Sequence, residues 1–148
     1  MKTLITIVIS LIVLFCTSCK NSINPQSSVD ITVLNQQGEN LLVPPAGYSK
    51  ENIDLSYIVN GEAKLYTSLF SHGSKGFFLI PDLNLHKIRI DLNHDRKEKY
   101  PLTLVKFGNT KVDTIKAKFN YIRQSTPIIQ AVWLNGVEKD IKGFIIVK

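Results

Sequence analysis

The sequence predicts an all-β domain: antiparallel strands in two packed sheets, as in an immunoglobulin-like or transthyretin-like β-sandwich, with a small barrel as the alternative. Three observations carry this. Apolar and polar residues alternate with a period of two along most of the chain beyond residue 28, and no segment of helical length shows the 3.6-residue period. Asn-Gly pairs, Asn60-Gly61 and Asn135-Gly136, interrupt apolar runs where tight hairpins belong, because both residues accept the positive φ of a type I′ turn. Turn-forming stretches around Gly38 ("NQQGEN") and Gly108 ("FGNTK") add two further reversals.

Taken in order, the pattern predicts strands over roughly 29–34, 41–43, 53–59, 62–66, 77–80, 86–92, 100–107, 112–121, 128–134 and 141–147. "IDLSYIV" sets Ile53, Leu55, Tyr57 and Val59 on one face. "HKIRIDL" alternates Ile88, Ile90 and Leu92 with Lys87, Arg89 and Asp91, and "KAKFNY" alternates Ala117, Phe119 and Tyr121 with Lys116, Lys118 and Asn120. Each reads as a strand with one buried and one solvated face. Pro101 lacks a ladder donor, so its strand begins there or lies at an edge. Trp133, in mid-strand, is expected in the core.

The N-terminus has a different composition. Met1-Lys2 is basic, and Leu4 to Phe15 ("LITIVISLIVLF") is apolar but for Thr6 and Ser10. A membrane-spanning helix needs about 20 apolar residues, so this run is too short to cross. A basic start, a short apolar core and then small residues make a secretory leader, here residues 1–18, expected as a signal helix. "TSC" at its end resembles the lipobox of bacterial lipoproteins, in which the cysteine thiol receives lipid and becomes the first residue after cleavage. That resemblance makes Cys19 the lipidation site, with Cys16 standing where leucine is usual. Three readings compete: a leader kept uncleaved as a membrane anchor, secretion without lipid, and a redox or metal pair at C-x-x-C, although a redox pair needs a folded αβ setting that a leader does not offer. Two or more acyl chains hold a protein on its membrane stably.

Residues 20–28, "KNSINPQSS", are polar, carry Pro25 and read as a tether with a reach on the order of 17 Å. Residues 29–148 are of single-domain size. No acidic residue follows Cys19 closely; such residues accompany surface export in Bacteroidota lipoproteins, so the periplasmic face of the outer membrane is the expected address. The full chain of 148 residues holds 18 basic and 12 acidic residues, a net charge of +6. The excess is spread out, and "RKEK" at 96–99 is interrupted by Glu98, so nucleic acid is not an expected partner.

"VDITVLNQQGENLL", "SYIVNGEAKLY", "FGNTKVDTIKAKF" and "VWLNGV" together resemble short bacterial lipoproteins of the Bacteroidota type: a lipobox leader followed by one β-rich domain. The resemblance spans most of 29–137. It implies a lipid-anchored envelope protein, and it brings no catalytic residue or ligand to carry over.

Motifs for chemistry are incomplete. Asp91-x-Asn93-x-Asp95 begins like a calcium loop, but Arg96 and Leu102 stand where glycine and glutamate are required, leaving a polar turn. His72, His86 and His94 have no zinc spacing. "FSHGSKG" lacks the G-x-S-x-G of a nucleophile elbow, and "GSKG" is too short for a phosphate-binding loop. The expectation is a non-enzyme with no cofactor and no metal. Two loops are the candidates for binding: "VPPAGYSKEN" with Tyr48, and "YTSLFSHGSKGFF" with Tyr66 and Phe70, whose aromatics suit a sugar ring or a protein partner of the envelope.

Overall fold

The computed structural model describes residues 26–45, 47–66, 75–81, 85–122 and 125–148. The expected signal helix over residues 1–18, Cys19, Phe70 and His72 lie outside the described residues. The rest is all-β. Ten strands run in the order β1 (Ser28–Leu34), β2 (Ile53–Val59), β3 (Glu62–Leu65), β4 (Phe77–Ile80), β5 (Lys87–Asp91), β6 (Leu102–Phe107), β7 (Asp113–Ile122), β8 (Thr126–Leu134), β9 (Val137–Lys139) and β10 (Phe144–Val147), with one 3-10 turn at Lys50–Asn52. They form a four-stranded sheet, β10-β1-β5-β4, and a six-stranded sheet, β3-β2-β6-β7-β8-β9.

Alternation explains how the sheets meet. Val29, Ile31 and Val33 of β1, Ile88 and Ile90 of β5 and Ile146 of β10 pack in one core with Ile53 and Leu55 of β2, Val105 and Phe107 of β6 and Ile115 and Ala117 of β7. The six-stranded sheet is tightly specified in register, because a one-residue slip would turn each of those apolar sets to water. Asn60 (φ 54°) with Gly61 (φ 82°), and Asn135 (φ 50°) with Gly136 (φ 88°), adopt the left-handed pair of a type I′ turn, closing β2–β3 and β8–β9.

Four readings change. The segment 41–43 is a turn: Asn40 accepts from the Leu42 amide and donates to the His86 carbonyl, each at 2.8 Å, so its side chain takes the backbone out of a ladder. Leu42 is still buried, as a plug, which is why the run looks like a strand. The sheets are not wholly antiparallel, since β10 pairs parallel to β1. β10 starts at Phe144 because Gly143 closes a turn on Asp140 first. The chain is also docked earlier than a tether through residue 28 implies: the Gln26 carbonyl accepts from Ile129 and its amide donates to Pro127. Pro101 takes the first of its two alternatives, preceding β6, which lies in the sheet interior.

Asn93 holds the crossing between the sheets. The buried side chain donates to Ile58 O (2.9 Å) and Leu102 O (3.3 Å), while its amide donates to Thr103 Oγ1 (2.8 Å). What resembles half a calcium loop is a polar crossover whose central side chain is already committed to protein partners.

Candidate binding surface

The outer face of the six-stranded sheet carries a partly apolar exposed surface. β2, β3 and β6 place Ser56, Leu65 and Leu104 side by side, and Asp54 opposite Lys106. These five strand positions, with Val112 before β7, line a shallow trough of about 410 Å³. Leu65 is 63% exposed and Val112 42%.

One step along the same face, β6, β7 and β8 align Leu102, Lys116 and Trp133. Trp133 is therefore on the outer face, half-buried, and not in the core. Its ring meets Tyr100 edge-on (centroids 5.9 Å apart, 81°), and Lys116 Nζ lies 4.6 Å from the Trp133 centroid and 5.5 Å from that of Tyr100. Lys99 Nζ is 5.4 Å from Tyr100. Two aromatic rings with two ammonium groups beside them suit apolar contact combined with negative charge, as in an acidic sugar or a carboxylate-bearing peptide.

The loop aromatics are placed differently. Tyr48 lies against Phe107 (5.4 Å, 43°), and Tyr66 meets Tyr57 edge-on (5.0 Å, 70°); both pack on the core. Gly76 (φ +78°) lets the chain pass beneath Tyr66, since a Cβ there would fall 2.7 Å from the ring and 2.6 Å from Leu55 Cδ2. No described contact joins Tyr48 to Tyr66, and Phe70 lies outside the described residues. Sequence reasoning missed Tyr100 and Trp133 as a pair; the two come together beside Lys116 only once β6, β7 and β8 are set in register.

At the far end of the sandwich Asp91, His94, Phe119 and Tyr121 gather around the crossover. Burial pushes the Asp91 carboxyl up, with His94 and Arg89 opposing, and burial also pushes the His94 imidazole down. Tyr57 donates to the Asp91 carbonyl (2.9 Å) and Tyr121 to the His94 carbonyl (2.9 Å), so both hydroxyls serve the backbone. Among the described residues no group of three or more His, Cys, Asp and Glu stands close enough to hold a metal ion.

The outer face of the four-stranded sheet carries Asp30, which accepts from Arg89 Nε (2.7 Å) and Nη2 (2.9 Å). That bidentate hydrogen bonding holds the Asp30 carboxyl below its usual range. The stabilisation is present above the ordinary carboxylate value and is lost as pH falls through the lowered one. Both groups are partly solvated, so Asp30→Asn is expected to cost less than about 1 kcal/mol at neutral pH. Urea midpoints for the two proteins should converge once the pH is below the carboxylate range; a gap that persists there would assign the loss to packing.

No family model, curated protein or solved structure matches the chain.

Proposed function

We propose that the chain is a lipid-anchored protein of the bacterial cell envelope whose β domain, of immunoglobulin-like or transthyretin-like type, acts in binding or assembly and not in catalysis. Residues 1–18 are the leader, Cys19 carries the lipid, and the domain rides on the periplasmic face of the outer membrane. The leader-cysteine arrangement supports the anchor. One observation carries the binding half: the outer face of the six-stranded sheet leaves Leu65 and Val112 exposed along a trough, and Tyr100 exposed beside Trp133, where a domain with no partner would gain by covering or charging them.

Carbohydrate binding is the second reading, favoured by Tyr100 and Trp133 beside Lys116. In an electrophoresis gel containing an acidic polysaccharide, Tyr100→Ala should abolish retardation; equal mobility of both proteins with and without polysaccharide would leave the face to a protein partner.

The anchor is tested by Cys19→Ala, which should release the protein from membranes or leave an unprocessed precursor. Intact mass of the wild-type product should correspond to a chain beginning at Cys19 and bearing acyl groups. A product that begins at Met1, or beyond Cys19, without acyl groups overturns the anchor.

A further inference from the structure

Sheet edges are hazards that proteins guard with charge. Both edges of the six-stranded sheet are guarded: β3 carries Glu62 and Lys64, and β9 carries Glu138 and Lys139. Neither edge of the four-stranded sheet carries a charge: at one is β4, which reads "FFLI", and at the other is β10, which reads "FIIV". Its backbone direction follows from its partner. The Lys148 amide donates to the Leu34 carbonyl (2.8 Å) in the parallel ladder with β1. Strand alternation then turns the polar groups of 144, 146 and 148 toward β1 and those of 145 and 147 outward. Among the described residues no strand pairs with that outer side. The same two residues expose their side chains, Ile145 at 52% and Val147 at 60%.

We propose that β10 is a dimerisation edge: two copies pair β10 antiparallel about a two-fold axis at Ile146, joining their four-stranded sheets into one. This goes beyond the binding role proposed above and does not depend on it. In this register Ile145 stands opposite Val147 of the second copy, so the outward N–H and C=O groups of each exchange both hydrogen bonds. The apolar rows also become continuous. Thr32 neighbours Ile145 and Leu34 neighbours Val147, so each row runs Thr32, Ile145, then Val147 and Leu34 of the second copy.

Local charge does not oppose a second copy, although the net charge of the chain is +6. Lys148 falls opposite Phe144, not opposite another lysine, and its ammonium is already paired with Asp113. Lys142 falls beyond the partner's position 148. The interface is isologous and closes on itself, so it does not propagate into fibres.

The full chain with Ile145→Cys and Val147→Cys, oxidised in isolated membranes, should give a reducible dimer whose bridge peptide joins position 145 to position 147. The same pair of substitutions at Val137 and Lys139, on the β9 edge, should give none. Ile145→Pro removes an outward N–H and trims an exposed side chain, both of which an edge strand tolerates. It should keep the thermal midpoint and lose the dimer in native mass spectrometry from detergent. Any of four results overturns the proposal: a wild-type monomer; a bridge joining 145 to 145; a bridge to a different protein; or a dimer that survives Ile145→Pro in a folded chain.

Discussion

Lys148→Met is expected to destabilise the domain by about 3–5 kcal/mol, the cost of leaving one member of a buried ion pair alone. Asp113, the first residue of β7, is nearly enclosed, as is the Lys148 side chain: 10% and 9% exposed. The ammonium contacts Asp113 Oδ2, donates to the Lys111 carbonyl (3.0 Å) and sits 5.8 Å from the Phe107 ring. Asn135 donates to the other carboxylate oxygen (2.9 Å). Methionine keeps an apolar stem of similar reach, so the substitution isolates the charge. Asp113 would then retain one neutral donor in a site closed to water. Asp113→Asn with Lys148→Met should recover most of the loss, because neither charge remains. Denaturant midpoints at constant slope measure both. A single-variant loss below about 1 kcal/mol, the level of a solvated surface pair, would contradict the buried reading.

The same pair shows what a sequence does and does not disclose. Alternation in Ile88, Ile90 and Leu92 is a local signal, because side-chain period and backbone geometry are tied residue by residue. The Asn-Gly turns are equally local, since positive φ at two consecutive residues restricts the choice of side chain. Lys148 and Asp113 meet only because β10 runs parallel to β1 over the end of β7, and no local pattern encodes that. Trp133 illustrates the limit within one strand. "AVWL" is apolar at every position, so its parity is silent until Lys116 on β7 is set opposite it. Tyr48 and Tyr66 were legible as loop aromatics but not as residues leaning on the core; their orientation depends on Gly108 and Gly76, which leave room for the rings. The run at 41–43 reads as a strand from its apolar residues alone, because Asn40's two side-chain bonds depend on partners that no local pattern reveals.

Phe107→Ala is the second large effect, expected to cost about 3–5 kcal/mol. Phe107 ends β6 fully buried and lies opposite Ile53 on β2. Its ring carries Tyr48 on one side, and Tyr48 in turn covers Gly108, where an added Cβ would stand 3.2 Å from the tyrosine ring. Removing the phenyl group therefore leaves a cavity that β2 and β6, fixed by their ladder, are poorly able to close. Tyr48→Ala tests the same contact from the surface, and a double-mutant cycle should return a coupling of about 0.5–1.5 kcal/mol for the ring pair. The cycle also decides a functional question. A Tyr48 coupled to Phe107 is a cover for the core, and the loop that bears it holds the sandwich shut. A Tyr48→Ala variant with unchanged stability and no coupling would free that ring for a ligand and move the binding site from the sheet face to the loop.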